Sequence, residues 1–275
     1  MDSGQVECGS RWRVKDLPFE AIDHAAVRDR DDLFLLVCAA SFIESGSDLY
    51  AGNLAELFED DPPVCDWLRN HWQHEELQHG RALRAYIAQV WPDFEWAEAF
   101  AAFLAEYARL CTLDQLEPTR AQELVARCMV EMGTTTSYQA LQSVSPEPVL
   151  SELAGRIRSD EVRHYKHFHE YFLRYRALEH THRTQVLATL LRRIAELRHS
   201  DIEIGLRHAA NSRFEGRRAP RAITASTQRV VALMRAAFPV DLAVRMAIQP
   251  LALPPRWRPL VQRPLAMLAR HTWLH

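Results

Sequence analysis

The strongest constraint on the fold of this chain comes from two Glu-x-x-His pairs that lie on apolar stripes at helical spacing. The first pair is Glu76 and His79, within HWQHEELQHG, and the second is Glu161 and His164, within SDEVRH. Positions i, i+3, i+4 and i+7 share one face of a helix. The other residues of these faces are Cys65, Leu68, Trp72, Leu83, Ile87 and Val90 on the first and Leu150, Ala154, Ile157, Phe168 and Tyr171 on the second. The pattern predicts two core helices that each direct one carboxylate and one imidazole inward.

Two other predicted helices each carry a single acid on an apolar stripe. The first acid is Glu44, among Leu33, Val37, Ala40, Ala51, Leu54 and Phe58. The second is Glu131, among Leu124, Cys128, Thr134 and Tyr138. Along the chain the order is therefore acid, acid-x-x-His, acid, acid-x-x-His, which indicates four helices that bring their acids into one core.

The Glu-x-x-His spacing alone has little specificity. With 21 Glu and 13 His in 275 residues, chance gives about one such pair, and the sequence contains four. The pair Glu179 and His182 lies near a predicted helix boundary, which favours a polar loop or cap. The pair Glu196 and His199 lies in a mixed polar run, which favours a solvated face.

Four carboxylates in one core would repel each other unless cations compensated their charge. A pair of metal ions is the simplest compensation, and a three-residue step places Glu and His one turn apart on the same face. Glu from two helices and Glu-x-x-His from two others is the ligand set of bundles that hold two irons or manganeses. Oxygen-rich ligation with imidazole suits these metals. The predicted ligands are Glu44, Glu76, His79, Glu131, Glu161 and His164.

Short segments around these residues resemble a known family. EELQHG resembles the EENRHG motif of the soluble acyl-carrier-protein desaturases, and SDEVRH resembles their DE-x-RH motif. The ligand order resembles that of the whole ferritin-like di-iron carboxylate superfamily, over about residues 31–178. Leu77 and Gln78 stand where the desaturase motif has Asn and Arg. Aldehyde-deformylating oxygenases, ribonucleotide reductase small subunits and rubrerythrins share the ligand pattern.

The resemblance implies a ferritin-like four-helix bundle in which the six predicted ligands bind two iron ions, with a mixed manganese–iron centre as the alternative. It implies O2 activation with electrons from a ferredoxin or reductase, and an aliphatic substrate such as an acyl thioester on acyl-carrier protein. Homodimers are common in the family. We therefore expect a desaturase-type or monooxygenase-type oxidoreductase. The alternative is a ferritin-like protein that binds or oxidises iron without an organic substrate.

Thr134 and Asp160 are the predicted catalytic residues beside the metal. Thr134 follows Glu131 by one helical turn, as a threonine does in the desaturases; the alternative is that the small residues of EMGTTTSYQ permit close helix packing. Asp160 precedes Glu161 as an aspartate does in the desaturase motif, and it is the expected acceptor for the free N–H of a ligating imidazole. The alternative for Asp160 is a surface aspartate.

Other residues near these motifs are expected to wall a pocket or to face away from the metal. The side chains expected to wall a substrate pocket are Trp72, Leu83, Tyr138, Phe168 and Tyr171. Those expected to face away from the metal are His71, His74 and Glu75. His167 and His169 are expected on the surface or on a helix face, with His167 as a residue that could flank the site.

The remaining sequence predicts an all-α protein, because it has 9 Gly in 275 residues and Ala-, Leu-, Glu- and Arg-rich windows. The predicted helices cover 31–58, 64–91, 94–111, 119–144, 149–178 and 183–211, followed by shorter helices between prolines. We predict a lead segment at 1–30, a ferritin-like di-metal bundle at 31–212, and a basic helical extension at 213–275 that packs on the bundle.

Charge and cysteine use bear on location and partners. The net charge is -3, but residues 213–275 contain 11 Arg and two acids. Packing of this basic tail on the acidic body is favoured over contact with a membrane surface or another anionic partner. The start of the chain has no apolar signal segment and the five Cys form no CxxC pair, which predicts a cytoplasmic protein. No phosphate-binding loop, nucleophilic triad or nucleic-acid motif is present in the sequence.

Overall fold

The computed structural model describes residues 11–196, 201–214, 216 and 220–274, and within these residues the protein is all-helical, with no strand. This confirms the predicted all-α class. The helices are α1 (His24–Val27), α2 (Asp31–Leu57), α3 (Pro62–Trp67), α4 (Gln73–Val90), α5 (Trp96–Tyr107), α6 (Arg120–Val144), α7 (Pro148–Leu178), α8 (Arg183–Glu196), α9 (Asp201–Phe214), α10 (Pro220–Ala237), α11 (Val240–Ala247) and α12 (Arg258–Leu274). Short 3-10 turns lie at Val14–Asp16, Phe19–Ala21, Leu113–Gln115 and Gln249–Leu251.

Helices α6 and α7 begin at local capping signals. The Thr119 side chain accepts a hydrogen bond from the backbone N–H of Gln122 at the start of α6. The Glu147 side chain accepts from two backbone N–H groups at the start of α7, where Pro148 is the first helical residue. A proline is tolerated there because its missing N–H would have no helical partner. These signals explain why the predicted bounds of both helices agree with the structure within about one residue.

The second predicted helix is not regular throughout. Residues 62–90 form α3, then a π-helical segment at Leu68–Trp72, then α4. The wider π turn lies immediately before the segment that carries Glu76 and His79. Such insertions change the rotation of the helix that follows and occur often at functional sites. Continuous α-helical periodicity therefore describes α4 but not the turn before it.

The sixth predicted helix, 183–211, covers α8 and most of α9, and residues 197–200 between them lie outside the described residues. Helix α8 ends at Glu196 and α9 begins at Asp201, and His199 lies outside the described residues. Helix α9 packs on α2 and α5. At its contact with α2, a Cβ on Gly205 would lie 3.1 Å from the Cα of Ala39, so glycine permits this close approach.

The four helices with the predicted ligands form two closely packed pairs. Helix α2 packs along α4, α6 packs along α7, and α4 also contacts α7. Two apolar clusters lie along these helices. Along α2, along α7 and along the stretch from Leu68 to Val90, the predicted ligands occur between residues of one cluster and residues of the other. In α6, Glu131 lies one residue before the last α6 member of one cluster, and the other cluster begins at Tyr138. The predicted ligands therefore form a polar layer between two apolar layers.

The C-terminal helices pack on this assembly. Helices α10 and α11 contact α6, α10 also contacts α2, and α12 contacts α11 and α10. The division of the chain at 30 and 212 into three segments stays a prediction.

Helix α2 is long and apolar enough to cross a membrane by length and composition alone. In the protein, 67% of its most apolar window is buried, and it carries the buried acid Glu44. A buried core helix passes the same test, so α2 is only weak evidence for a membrane span.

Candidate metal centre

The six predicted ligands lie together in the core, and all are buried. They form two groups of four, in each of which one ligand atom per residue lies within 4.8 Å of the others. One group contains Glu44 and His79, and the other contains Glu131 and His164. Glu76 and Glu161 belong to both groups. The two groups therefore share a pair of carboxylates.

Several of the inward atoms make no hydrogen bond. The buried side-chain atoms without a partner include Glu76 Oε1, His79 Nδ1, Glu131 Oε2, Glu161 Oε1 and His164 Nδ1. His164 Nδ1 lies 2.9 Å from Glu76 Oε1, and His79 Nδ1 lies 3.1 Å from Glu161 Oε1, without forming a hydrogen bond. Buried polar atoms are rarely left unsatisfied. Orphaned carboxylate oxygens and imidazole nitrogens that converge in this way fit a metal, whose bonds would satisfy them.

The other nitrogen of His79 is held by Asp160. His79 Nε2 lies 3.0 Å from Asp160 Oδ2. Asp160 also accepts a hydrogen bond from the indole of Trp12 at 2.8 Å and pairs with Arg163 at 2.6 Å. Asp160 is thus a buried residue that orients an imidazole, and the surface alternative is wrong. Nothing in the sequence pattern pointed to Trp12, which reaches the site from the lead segment.

Glu75 holds the second imidazole, so the expectation that it faces away from the site is wrong. His164 Nε2 lies 2.8 Å from Glu75 Oε2, and Arg163 donates to Glu75 Oε1, also at 2.8 Å. Each acid that precedes a ligand glutamate therefore orients the imidazole of the opposite helix. Arg163 contacts both of these acids. The sequence signal for this role is an acid immediately before each of two predicted ligand glutamates. Glu75 precedes Glu76, and Asp160 precedes Glu161.

Three other side chains hold the ligand carboxylates. The hydroxyl of Tyr138 donates to Glu44 Oε1 at 2.5 Å, and the indole of Trp72 donates to Glu131 Oε1 at 3.2 Å. Thr134 Oγ1 donates to Glu161 Oε2 at 2.8 Å. Contacts of this kind fix the orientation of metal ligands and tune their basicity.

The small residues around Thr134 do not have a common packing role. A Cβ on Gly133 would meet nothing within 4 Å, so close helix packing does not explain this glycine. The buried hydroxyl of Thr135 makes no hydrogen bond, and the hydroxyl of Thr136 bonds to a carbonyl of its own helix at 2.8 Å. Only the hydroxyl of Thr134 contacts a ligand among the described contacts of these three threonines.

The ionisation of the cluster reflects burial and close contact. Burial and the neighbouring acids raise the pKa of Glu76 well above its ordinary value, and burial raises the pKa of Glu131 to about 8. Burial also acts to raise the pKa of Glu161, but both imidazoles outweigh it and hold that pKa well below its ordinary value. Burial lowers the pKa of His79 and His164, yet the surrounding carboxylates raise the pKa of both well above the usual range. A metal would therefore displace protons on binding.

Two of the predicted pocket walls are hydrogen-bond donors to predicted ligands. Leu83 and Phe168 are buried and Tyr171 is half-buried, while Trp72 and Tyr138 bond to ligand acids as described. Among the other histidines, His74 is exposed and His71 half-buried. His167 is exposed and packs on Trp67, with ring centroids 4.9 Å apart.

Among the described residues of the two rejected Glu-x-x-His pairs, Glu179, His182 and Glu196 do not belong to either ligand group, and His199 lies outside the described residues. Glu179 follows α7 and accepts hydrogen bonds from the backbone N–H groups of Arg120 and Ala121, which confirms its role as a cap. Glu196 is exposed and pairs with Arg193 at 2.8 Å.

The buried Glu and His groups could hold a metal ion. In comparisons with known proteins, no family model matches the chain and no curated protein matches it.

Proposed function

We propose that the protein is an O2-activating oxidoreductase with a dinuclear iron centre in a ferritin-like four-helix bundle. The observation that carries the proposal is the pair of ligand groups that share Glu76 and Glu161. One set of six side chains can thus serve two ions at once. A single structural metal would need only one such group.

The donor set supports iron or manganese. Four carboxylates and two imidazoles are hard or borderline ligands, and no cysteine belongs to either group. Glu44, Glu76, Glu131 and Glu161 would hold the two ions together with His79 and His164, and Glu76 and Glu161 belong to both ligand groups. Two ferrous ions, reduced by an external donor such as a ferredoxin or reductase, would supply electrons to O2.

The surrounding residues perform the supporting steps. Asp160 and Glu75 accept from the outer imidazole nitrogens and so keep Nδ1 of both rings directed inward. The Thr134 hydroxyl donates a hydrogen bond to Glu161 and so helps to hold this carboxylate in place. The apolar layers on either side exclude water from the cluster.

The substrate class in this proposal is aliphatic, and an acyl thioester on acyl-carrier protein is the first candidate. In a desaturation, two electrons from the substrate C–H bonds and two from the external donor reduce O2 to two waters. The support for this substrate is the resemblance of EELQHG and SDEVRH to the desaturase motifs. Oxidation of iron without an organic substrate is the competing outcome.

Metal content tests the centre. Elemental analysis of protein produced with iron should give about two irons per chain, and Mössbauer spectra should show coupled ferric ions after anaerobic reduction and exposure to O2. Folded protein without stoichiometric metal would overturn the proposal. Consumption of O2 that depends on both reductant and acyl thioester would then separate an oxygenase or desaturase from a protein that only oxidises iron.

A further inference from the structure

Helix α12 packs on the protein with its small and polar side. Among the described side chains of α12, that of Ala266 is the one that is buried. The side chain of Gln262 donates to the carbonyl of Asp241 at 3.5 Å, and Arg270 pairs with the carboxylate of Asp241. A helix that packs on a protein core normally turns its large apolar residues inward. Among the described side chains of α12, the large apolar residues other than half-buried Val261 are instead exposed.

The large apolar side chains of this segment point to solvent. The exposed fractions are 50% for Trp257, 63% for Leu260, 62% for Met267 and 58% for Leu268. Leu260, Pro264, Met267 and Leu268 follow the spacing i, i+4, i+7 and i+8, which places them on one face of the helix. Trp257 lies just before the first turn, where its carbonyl accepts from the backbone N–H of Val261. We call Trp257, Leu260, Pro264, Met267 and Leu268 the outer face.

Arginines flank the outer face. Arg256, Arg258 and Arg263 are exposed, and Arg263 lies on the same edge as Arg270, seven residues later. No Asp or Glu follows Asp241 in the sequence. Within the part of the chain that the structure describes, Arg256 and Arg263 have no carboxylate partner. The segment is thus apolar on its outer face and positive at its edges.

We propose that α12 is a membrane-surface anchor that lies in the headgroup region of an anionic bilayer. In this arrangement the outer face enters the boundary with the acyl chains, and the arginines contact lipid phosphates. Helices with a cationic edge and an exposed Trp- and Leu-rich face bind membranes in this way. Indole rings favour the interface, and each nearby Arg adds attraction to an anionic leaflet.

The charge pattern disfavours a second copy of the chain on this face. A two-fold contact pairs the same surface of both subunits. It would bring the arginine-bearing edges of both α12 helices together, with no acid from either helix to compensate them. A bilayer of anionic lipid provides both the negative charge and the apolar layer that this face lacks.

Vesicle co-sedimentation of the full chain tests the anchor. The protein is mixed with vesicles of equal parts phosphatidylcholine and phosphatidylglycerol, and in parallel with vesicles of phosphatidylcholine alone. We expect binding to the anionic vesicles that weakens as salt rises. The double variant Leu260→Gln/Leu268→Gln should reduce partitioning roughly tenfold or more, and Arg263→Gln should reduce it about fivefold.

A matched control is available on α8. Leu187 and Leu191 are also exposed leucines, with exposed fractions of 45% and 58%. The variant Leu187→Gln/Leu191→Gln should bind anionic vesicles as the unchanged protein does. Circular dichroism spectra and melting curves establish that all variants fold.

Three results would overturn the proposal. The first is no binding of the unchanged protein to anionic vesicles at low salt. The second is equal loss of binding in the α8 control, which would indicate nonspecific adhesion. The third is a dimer in analytical ultracentrifugation that Leu260→Gln/Leu268→Gln dissociates, without vesicle binding, which would make the outer face a contact between copies. The test does not depend on the metal centre, because every readout is obtained without turnover.

Discussion

At the residue scale, helices α4 and α7 each provide the acid that orients the histidine of the other helix. Asp160 on α7 holds His79 on α4, while Glu75 on α4 holds His164 on α7. Arg163 contacts both acids and compensates part of their charge. Because each imidazole depends on the opposite helix, the relative position of α4 and α7 determines whether both Nδ1 atoms point into the cluster.

The shared carboxylates should affect both metal positions. Glu161 belongs to both ligand groups, whereas Glu44 belongs to one. We expect Glu161→Ala to remove nearly all bound iron and Glu44→Ala to remove about one ion per chain, as measured by elemental analysis. Glu196→Ala is the control, since Glu196 is exposed and pairs only with Arg193 among the described residues. Equal iron loss in the control would show that the wrong Glu-x-x-His pair had been chosen.

The acids that orient the imidazoles should affect the affinity for iron, although they do not bind the metal themselves. Removing such a partner typically lowers metal affinity 10–100-fold. We therefore expect Glu75→Gln and Asp160→Asn each to lower iron affinity by roughly this factor, measured by competition with a chelator. Glu152→Gln on the exposed side of α7 is the matched control. Unchanged affinity in Glu75→Gln would mean that its contact with His164 does not orient the ring.

At the element scale, the contact between α2 and α4 depends on one glycine. A Cβ on Gly80 would lie 2.4 Å from Ser45 Oγ and 2.8 Å from the Ser45 backbone nitrogen. Gly80 and Ser45 are the neighbours of the ligands His79 and Glu44. The two helices therefore approach each other closely beside the predicted metal ligands.

Substitution of this glycine should separate the two helices. We expect Gly80→Ala to destabilise the protein by about 1–3 kcal/mol, because the added methyl group meets backbone. Gly52→Ala is the matched control on α2, where a Cβ would meet nothing within 4 Å; it should be neutral or stabilising by up to about 1 kcal/mol. Thermal unfolding measures both. If the two variants melted alike, the close contact would not limit stability.

The contact between α5 and α9 should depend on pH. Hydrogen bonds from Arg207 and His208 lower the pKa of Glu106 to about 2. A carboxyl group with a lowered pKa adds stability above its unfolded pKa of about 4.3 and loses it as pH falls toward 2. The difference in melting temperature between the unchanged protein and Glu106→Gln should therefore be largest near pH 6 and shrink below pH 4. A difference that grew on acidification would contradict this assignment.

At the scale of the whole molecule, metal binding should stabilise the fold. The cluster joins four helices distant in sequence, and without metal it contains orphaned buried atoms. Free metal at about 100 times its dissociation constant adds roughly 2.7 kcal/mol per site, which corresponds to a rise in melting temperature of several degrees. Calorimetry of metal-free and iron-loaded protein measures this rise. Glu161→Ala should show little of it, and a full response in that variant would place the metal elsewhere.

The helices and the inward ligands were predictable because both depend on local periodicity. The stripe through Glu76 and His79 follows from the pitch of a single helix, and the bounds of α6 and α7 follow from adjacent capping residues. The π-helical turn at Leu68–Trp72 was not predictable in this way. It shifts the helix phase without a proline or glycine in that turn.

The sequence by itself determined the all-α class and the six side chains that face one core, because helical spacing assigns each residue to a face without knowledge of its neighbours. Only the tertiary structure decided which acids hold the imidazoles. Glu75 lies one position before Glu76, about 100° around the helix, and its exposure depends on whether another helix covers that side. Here α7 covers it, and the N-terminal segment brings Trp12 to Asp160 across 148 residues of sequence. Contacts between distant segments depend on how helices are placed and rotated, which periodicity within one helix does not determine.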